Sequence, residues 1–452
     1  MDINLKHKIK NSLGASYKEG IAASLMSAAM DYYLIPFGLF LGATAQEIGF
    51  LIAIPNLLSS FSQFFCVQGV KTFGGSRLKL IVTGIMIQAI LLIPVASLVF
   101  PHISSRVEIL ILFVSFFRFL GNLIGPAWGS LMSDYLSEKD RGNYFGHRSR
   151  AVGISGVIGI GFWGLFLFLV KRVSAAWAFF GLFLGAAFFR FLSCYYMKQM
   201  TDLPARHVPE HDFTFWMFVI RLRESNFVKF VFYVAVLTFS MQLAGPYFSV
   251  YMLRDLKFNY LTYMSIHLSL VVASLFSFPI WGRHADLVGN ARILKITGFL
   301  IPVSTVFWPF TKNPVCLMAI EALSGFALGG FALCSTNFIY DAVSPEKRVR
   351  CIGYFNLITG MAIFMGASFG GFLSDKLPPF HGSSILSLFR ISAVLRSASN
   401  FFLAGHFQEV RQSTKKISSA DLLFSVVGVR PILGANTETD ILADVHHGSR
   451  KG

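Results

Sequence analysis

The sequence predicts an all-α membrane protein with twelve transmembrane helices in two pseudo-symmetric six-helix bundles. Three observations lead to this fold class: a very apolar composition, a series of span-length apolar runs, and an internal repeat. Charged residues make up only 14% of the chain and apolar residues 54%, whereas a soluble domain has about 25% charged residues. This composition excludes a soluble enzyme, and its hydrophobicity excludes a disordered chain. A helical span takes about 20 residues, so 452 residues have room for twelve.

The apolar runs give the positions of the predicted spans. The first six are residues 20–41, 48–69, 80–100, 109–131, 151–170 and 175–197, and the second six are 228–252, 261–281, 293–310, 315–340, 353–373 and 384–405. No clear small-residue cleavage site follows the basic N-terminus, which indicates an uncleaved first span rather than a signal peptide. The domain boundaries follow: a first bundle at 1–197, a linker at 198–227, a second bundle at 228–405 and a cytoplasmic tail at 406–452. Within the linker, residues 213–225 predict a short amphipathic helix on the membrane surface.

The net charge of +16 does not indicate nucleic-acid binding, because the Lys and Arg residues recur in short clusters between apolar runs. These clusters favour one side of the predicted membrane about fourfold, which places both termini in the cytoplasm. The expected location is a bacterial inner membrane. The expected partners are the lipid bilayer, a small solute and protons or another coupling cation, and the expected state is a monomer. The five Cys residues form no CxxC pair, so neither a metal site, a disulfide framework nor a cofactor is predicted.

An internal repeat relates the two halves at an offset of about 208 residues. It joins the acidic ends of predicted spans 4 and 10, a proline in spans 1 and 7, and an arginine in spans 6 and 12: Asp134 and Asp341, Pro36 and Pro246, Arg190 and Arg396. Two parallel halves related by an axis along the membrane normal are known among transporters.

A loop motif indicates a resemblance to one particular family of transporters. The loop between predicted spans 8 and 9 reads Gly282-Arg-His-Ala-Asp286-Leu-Val-Gly289-Asn-Ala-Arg292, which resembles the loop motif of the major facilitator superfamily. In the first-half copy around Gly74, Lys71 stands where that family usually has Asp. Arg118 is similar to the arginine of the family's span-4 motif. Over roughly residues 15–405 the resemblance implies a twelve-span fold, alternating access and membership of the proton-coupled branch.

Asp31, in the middle of predicted span 1, is the sharpest candidate for proton coupling. A carboxylate at the middle of the bilayer raises the free energy of membrane insertion by about 2.5–3.5 kcal/mol. We therefore expect the Asp31 side chain to face a cavity or a partner. Arg118 lies at a similar depth on an antiparallel span, and the resemblance places spans 1 and 4 together at the central cavity. Arrival of a substrate at the arginine, or movement of a gate, would then change the proton affinity of the carboxylate. A static structural ion pair is the alternative.

Glu321 in predicted span 10 and His267 in span 8 lie at similar depth and form a second candidate titrating cluster. A packed histidine and an acid in an outer vestibule are the alternatives. We interpret Arg190, Arg390 and Arg396 as side chains that snorkel or anchor helix ends.

Two further residue groups complete the predicted site. The substrate cavity is predicted beside the helix breaks, with lining residues Tyr32, Tyr33, Pro36, Gln63, Gln242, Pro246, Tyr247 and Tyr251. Cytoplasmic gating is implied by the loop motif and its repeat, through Asp134, Arg141, Gly282, Asp286, Gly289, Arg292, Asp341 and Arg350. In the gate, Asp286 would meet a helix N-terminus and the basic loop between spans 4 and 5. Small residues four positions apart, Ala151, Ser155 and Gly159 in span 5 and Gly366 and Gly370 in span 11, predict close helix packing.

The favoured function is therefore a secondary transporter that exports an amphipathic compound in exchange for protons. Proton-coupled uptake or facilitated transport of a sugar or organic anion is the nearest alternative. A polytopic membrane enzyme or a transporter-like sensor is the alternative from a different class. The sequence has no catalytic cluster and no GxxxxGK[ST] motif for its own ATPase, so we predict that the protein is not an enzyme.

Overall fold

A computed structural model describes residues 3–100, 105–136, 138–203 and 225–410, and in these ranges the chain is almost entirely helical. The first half contains α1 to α8: Ile3–Tyr32, Leu34–Phe40, Ala45–Ser62, Cys66–Thr72, Arg77–Ser97, Arg106–Tyr135, Glu138–Val170 and Ala175–Lys198. The second half contains α9 to α15: Asn226–Gln242, Gly245–Val250, Tyr260–Val288, Asn290–Phe307, Pro314–Ala342, Pro345–Ser374 and Ser384–Leu403. The predicted amphipathic helix at 213–225 and the tail beyond residue 410 lie outside the described residues.

Ten helices in the described ranges are long and apolar enough to cross a membrane. They coincide with ten of the predicted spans, and the all-α membrane fold is therefore confirmed. The other two predicted spans coincide with the pair α1 and α2 and with α15. In α15, Arg390 and Arg396 lower the hydropathy. The count of twelve stays a prediction.

Proline interrupts the first helix of each half at the predicted places. The helix breaks at Tyr33, between α1 and α2, three residues before Pro36. Proline lacks the N–H that would bond the carbonyl four residues earlier, so Pro36 leaves the carbonyl of Tyr32 without its helical donor. In the second half, α9 ends at Gln242 and α10 begins at Gly245, with Pro246 in its first turn.

The two halves share one apolar core at one end and have separate cores at the other. The shared core joins first-half residues such as Tyr33 and Phe37 to second-half residues such as Tyr247 and Phe389. The two other cores are confined to one half each, around Leu131 and Phe338 respectively. By the predicted orientation the shared core lies at the outer end and the separate cores at the cytoplasmic end.

The most extensive contacts between the halves are made by two helix pairs: α3 packs along α14, and α7 packs along α11. Glycines of α14 also bring it close to α9, as the spacing in predicted span 11 indicated. A Cβ on Gly366 would lie 2.5 Å from the carbonyl oxygen of Phe239, and a Cβ on Gly370 would lie 2.2 Å from that of Leu243. These glycines therefore permit a backbone approach that alanine would not.

Candidate functional site

Asp31 and Arg118 form an ion pair between α1 and α6. Arg118 Nη2 donates to Asp31 Oδ1 at 2.5 Å. Neither side chain is deeply buried, since Asp31 is 41% exposed and Arg118 36% exposed. The pairing agrees with the depths predicted from the sequence. Its partial exposure means that both groups can exchange their partner for water or a solute.

A cavity of about 400 Å³ lies beside this pair and takes its walls from both halves. α1 contributes residues from Gly20 to Tyr32, including Asp31, α7 contributes residues from Arg148 to Ile160, and α11 contributes Val271 and Leu275. Arg118 is not one of the lining residues. The cavity wall therefore presents the carboxylate of the ion pair but not its guanidinium.

Arg148, at the other end of the cavity, is held by several groups. Its Nη2 donates to Glu19 at 3.0 Å, its Nε donates to the carbonyl of Ser16, and its guanidinium stacks 4.5 Å from the ring centre of Trp128. The Arg148 side chain is 16% exposed. Its charge is thus already compensated by a neighbouring carboxylate. Arg148 belongs to α7, just before predicted span 5.

An aromatic cluster closes the cavity next to Asp31. The hydroxyl of Tyr263, on α11, donates to the Tyr32 carbonyl at 2.8 Å, which is the carbonyl left free by Pro36. His267 packs edge to face against the rings of Tyr32 and Tyr263. Tyr33 donates to the carbonyl of Ile160 at 2.6 Å. This cluster joins the two halves on the predicted outer side of the carboxylate.

His267 and Glu321 do not form the single titrating cluster predicted from their depth. Glu321 is buried and accepts a hydrogen bond from Trp308 Nε1 at 3.0 Å. His267 lies 3.4 Å from the hydroxyl of Ser249, with its ring in the aromatic cluster described above. Equal depth in the membrane does not imply contact, because the two side chains point to different neighbours.

Most of the predicted substrate-cavity residues do not line the observed cavity. Tyr32 does, whereas Tyr33, Pro36, Pro246, Tyr247 and Tyr251 are buried in the shared outer core or at the helix breaks. The Tyr247 hydroxyl, for instance, donates to the carbonyl of Ala367 at 2.7 Å.

Two glutamines of that predicted set lie elsewhere. Gln63 joins the two halves, with its Nε2 3.4 Å from the carbonyl of Gly353 and its Oε1 3.2 Å from Asn356 Nδ2. Gln242 is half-buried at the end of α9. Contact between these residues and a solute stays a prediction.

Two of the predicted gating acids hold helix ends within one half. Arg77 Nη2 donates to Asp134 at 2.7 Å, fastening α5 to α6. In the second half, Asn290 Nδ2 donates to Asp341 at 2.8 Å, fastening α12 to α13. The two acids that the sequence repeat relates thus make equivalent contacts in the two halves.

The remaining gating candidates lie around these two contacts. Arg141 donates to the carbonyl of Ser133 at 2.9 Å, and Gly289 has φ +90°, a conformation that favours glycine, at the end of α11. Gly282 faces Leu333 with room for a side chain. The others are exposed or half-buried: Asp286, Arg292 and Arg350. The latch between the halves stays a prediction.

The snorkelling interpretation is wrong for Arg190 and Arg396. Arg190 is 7% exposed, and its Nε donates to Gln88 at 3.1 Å. Arg396 is equally buried and donates to Thr305 at 2.5 Å and to the carbonyl of Met241 at 3.0 Å. Each arginine is buried inside its bundle. There it donates hydrogen bonds to polar groups that would otherwise be buried without partners, and these bonds offset the cost of burying its charge. Arg390 is exposed and packs over the Phe380 ring.

Sequence reasoning missed two acids that cap the third span of each half. Asp202 accepts from Ser76, the N-cap residue of α5, at 2.5 Å. Glu409 accepts from the backbone N–H of Ala291, at the start of α12, at 2.8 Å. The signal was available, because the two acids are about 208 residues apart, the offset of the repeat.

Comparison with known proteins supports the resemblance predicted from the sequence. Residues 230–395 match the model of the Major Facilitator Superfamily. A segment of 148 residues is 22% identical to Multidrug resistance protein 3 of Bacillus subtilis and covers 33% of this chain and 28% of that protein. A segment of 99 residues is 28% identical to Vacuolar basic amino acid transporter 2 of Saccharomyces cerevisiae, over 22% of this chain and 21% of the relative. The matched segments thus span less than a third of these curated relatives.

Solved structures extend the likeness to nearly the whole chain. The nucleoside transporter NupG aligns with a TM-score of 0.71 at 14% identity, over 87% of this chain and all of the other. A bacterial homologue of the human lysosomal transporter Spinster, inward-facing and unoccupied, aligns with a TM-score of 0.65 at 14% identity, over 90% of this chain and 99% of the other. The predicted resemblance is confirmed: residues 230–395 match the model of the superfamily, and the fold of the chain is that of these solved transporters.

Proposed function

We propose that this protein is a proton-coupled secondary transporter that exports a small amphipathic compound by alternating access. The observation that carries the proposal is the Asp31–Arg118 ion pair, which is partly exposed beside a cavity whose walls come from both halves. A carboxylate in such a place can hold a proton, the guanidinium or a solute, but not all three at once. Export is favoured over uptake by the relatives named for multidrug resistance and multidrug export.

The packing of the halves supports an inward-facing arrangement. The core shared by both halves and the Tyr263–Tyr32 hydrogen bond lie on the predicted outer side of Asp31. The cavity extends from Tyr32 along α1 toward Gly20, in the predicted cytoplasmic direction. A solute would enter from the cytoplasm, and rocking of the halves would open the outer side.

Coupling would arise because Arg118 competes with the proton for Asp31. In the ion-paired state the carboxylate is charged. Protonation cancels the attraction and releases the guanidinium, which changes the charge next to the Tyr263–Tyr32 contact between the halves. Proton entry from the outer side and release into the cytoplasm would then drive the return step of export.

Transport in proteoliposomes tests this proposal. With a pH gradient imposed, the wild-type protein is expected to accumulate substrate, and Asp31→Asn is expected to lose the gradient-driven part while it retains exchange between equal concentrations. Glu108→Gln is the matched control, because Glu108 is an exposed acid in the first turn of α6. Full gradient-driven transport by Asp31→Asn would reject proton coupling through this residue. Retention of transport with no response to any pH gradient in the wild-type protein would favour facilitated transport instead.

A further inference from the structure

One oxygen of the Asp31 carboxylate is available to a ligand. Arg118 takes only Oδ1, and no described residue donates a hydrogen bond to Oδ2. The side chain is 41% exposed and lines the cavity, whereas Arg118 is not among the residues that line it. A donor that arrives through the cavity therefore meets an unsatisfied anionic acceptor.

The opposite end of the cavity offers less charge. Arg148 is 16% exposed and is bound to Glu19, to a backbone carbonyl and to the face of Trp128. A ligand anion would have to displace the Glu19 carboxylate, which is itself buried and fixed by Ser193 at 3.0 Å. The free charge of the cavity is consequently negative.

The rest of the wall suits a small apolar body. Between Asp31 and Arg148 the lining is mainly aliphatic, with Val152 and Val157 from α7 and Leu275 from α11. Two hydroxyls, those of Ser24 and Ser27, lie on the α1 side. The volume of about 400 Å³ is near the lower end of the range for ligand pockets, about 300–1,000 Å³. The wall therefore fits a compact solute with one polar end.

We propose that this cavity binds a protonated amine carried on a small apolar body, with Asp31 Oδ2 accepting the ammonium and the valine- and leucine-lined wall holding the apolar part. The proposal rests on the proposed function, because it names the solute class of that transporter. The amine and a coupling proton occupy the same carboxylate, so that each expels the other. Charge-assisted hydrogen bonds are about twice as strong as neutral ones, and they give the selectivity for an ammonium over an alcohol of the same shape.

Equilibrium dialysis with purified protein in detergent tests the solute class. The probes are 2-phenylethylammonium, 2-phenylethanol and 3-phenylpropanoate, which share a ring and a short chain and differ in charge. The wild-type protein is expected to bind the ammonium most tightly and to lose affinity for it as the pH falls. Asp31→Asn is expected to weaken ammonium binding at least about tenfold and to leave the alcohol unchanged, while Glu108→Gln leaves all three unchanged. Val157→Trp, which fills the cavity without altering its charge, is expected to weaken both the ammonium and the alcohol.

Several results would overturn the solute class: preference for the carboxylate probe, equal binding of all three probes, no ammonium-selective binding, or ammonium binding unchanged in Asp31→Asn. Dialysis uses no gradient, so it is independent of coupling. Loss of proton-driven transport in Asp31→Asn together with unchanged amine binding would reject only the solute class. Amine binding through Asp31 with no response of transport to a pH gradient would reject only the proton coupling.

Discussion

Arg190 illustrates how a charged side chain can stabilise a membrane bundle from its centre. Its guanidinium joins Gln88 on α5 to Ser193 on its own helix, and Ser193 continues to Glu19 on α1. Gln88 also donates to the carbonyl of Phe117, the neighbour of Arg118. The arginine is thus the central donor of a buried network that extends to the residue before Arg118.

We predict that Arg190→Met lowers the stability of the folded protein. The substitution keeps the volume but leaves the Gln88 carbonyl oxygen without its donor, which costs about 1–3 kcal/mol. A fluorescence-monitored melt in detergent should show a clear drop in the melting temperature. Arg390→Met is the control, since Arg390 is exposed, and its melting temperature should hardly change. Equal shifts in the melting temperature of the two variants would show that the buried Arg190 contributes no more to stability than the exposed Arg390.

At the scale of elements, the break between α1 and α2 gives the first helix a contact that a regular helix could not make. Pro36 frees the Tyr32 carbonyl, and the hydroxyl of Tyr263, which is 2% exposed, occupies it. The bond crosses between the halves one residue away from Asp31. It therefore links the closure of the cavity on the predicted outer side to the neighbourhood of Asp31.

Tyr263→Phe should loosen the outer side without disturbing the packing of the ring. The variant removes only the hydroxyl, so the Tyr32 carbonyl loses its donor when the outer side is closed. We expect faster alkylation of a cysteine placed at Tyr32 by a membrane-impermeant maleimide added from outside. Tyr260→Phe, on the same helix and at the edge of the same core, is the matched control. An unchanged alkylation rate in Tyr263→Phe would mean that the bond does not hold the outer side closed.

At the scale of the whole molecule, the sequence predicted the fold better than the site. The apolar runs and the repeat predicted the helices and the breaks at Pro36 and Pro246, because length, hydropathy and proline act locally. The Asp31–Arg118 pair was predicted because both depth and family resemblance pointed to it. The separation of His267 from Glu321 and the burial of Arg190 depend on helix rotation, which the depth of a residue does not determine. Tyr247 was placed in the cavity but lies in the shared core for the same reason.

The repeat also organises the predicted cytoplasmic ends of both bundles. In each half an acid at the end of the fourth predicted span meets the start of the third, through Arg77 and Asp134 or through Asn290 and Asp341. These contacts lie within a half, so they can stay intact while the halves rock. Each bundle is accordingly expected to move as a rigid unit about the contacts between α3 and α14 and between α7 and α11.

Distances between spin labels measured by pulsed electron paramagnetic resonance test the central claim, that the charge of Asp31 controls rocking of the two halves. One pair of labels at Val173 and Val315, exposed on the predicted outer side, and another at Thr72 and Ser344, exposed on the cytoplasmic side, report the two ends. If Asp31 carries the coupling proton, lowering the pH should shorten the outer distance and lengthen the inner distance, because proton binding drives the return to the inward-facing arrangement. Asp31→Asn should show the low-pH distances at every pH. Distances that do not respond to pH in the wild-type protein, or that change in the same direction at both ends, would contradict the account.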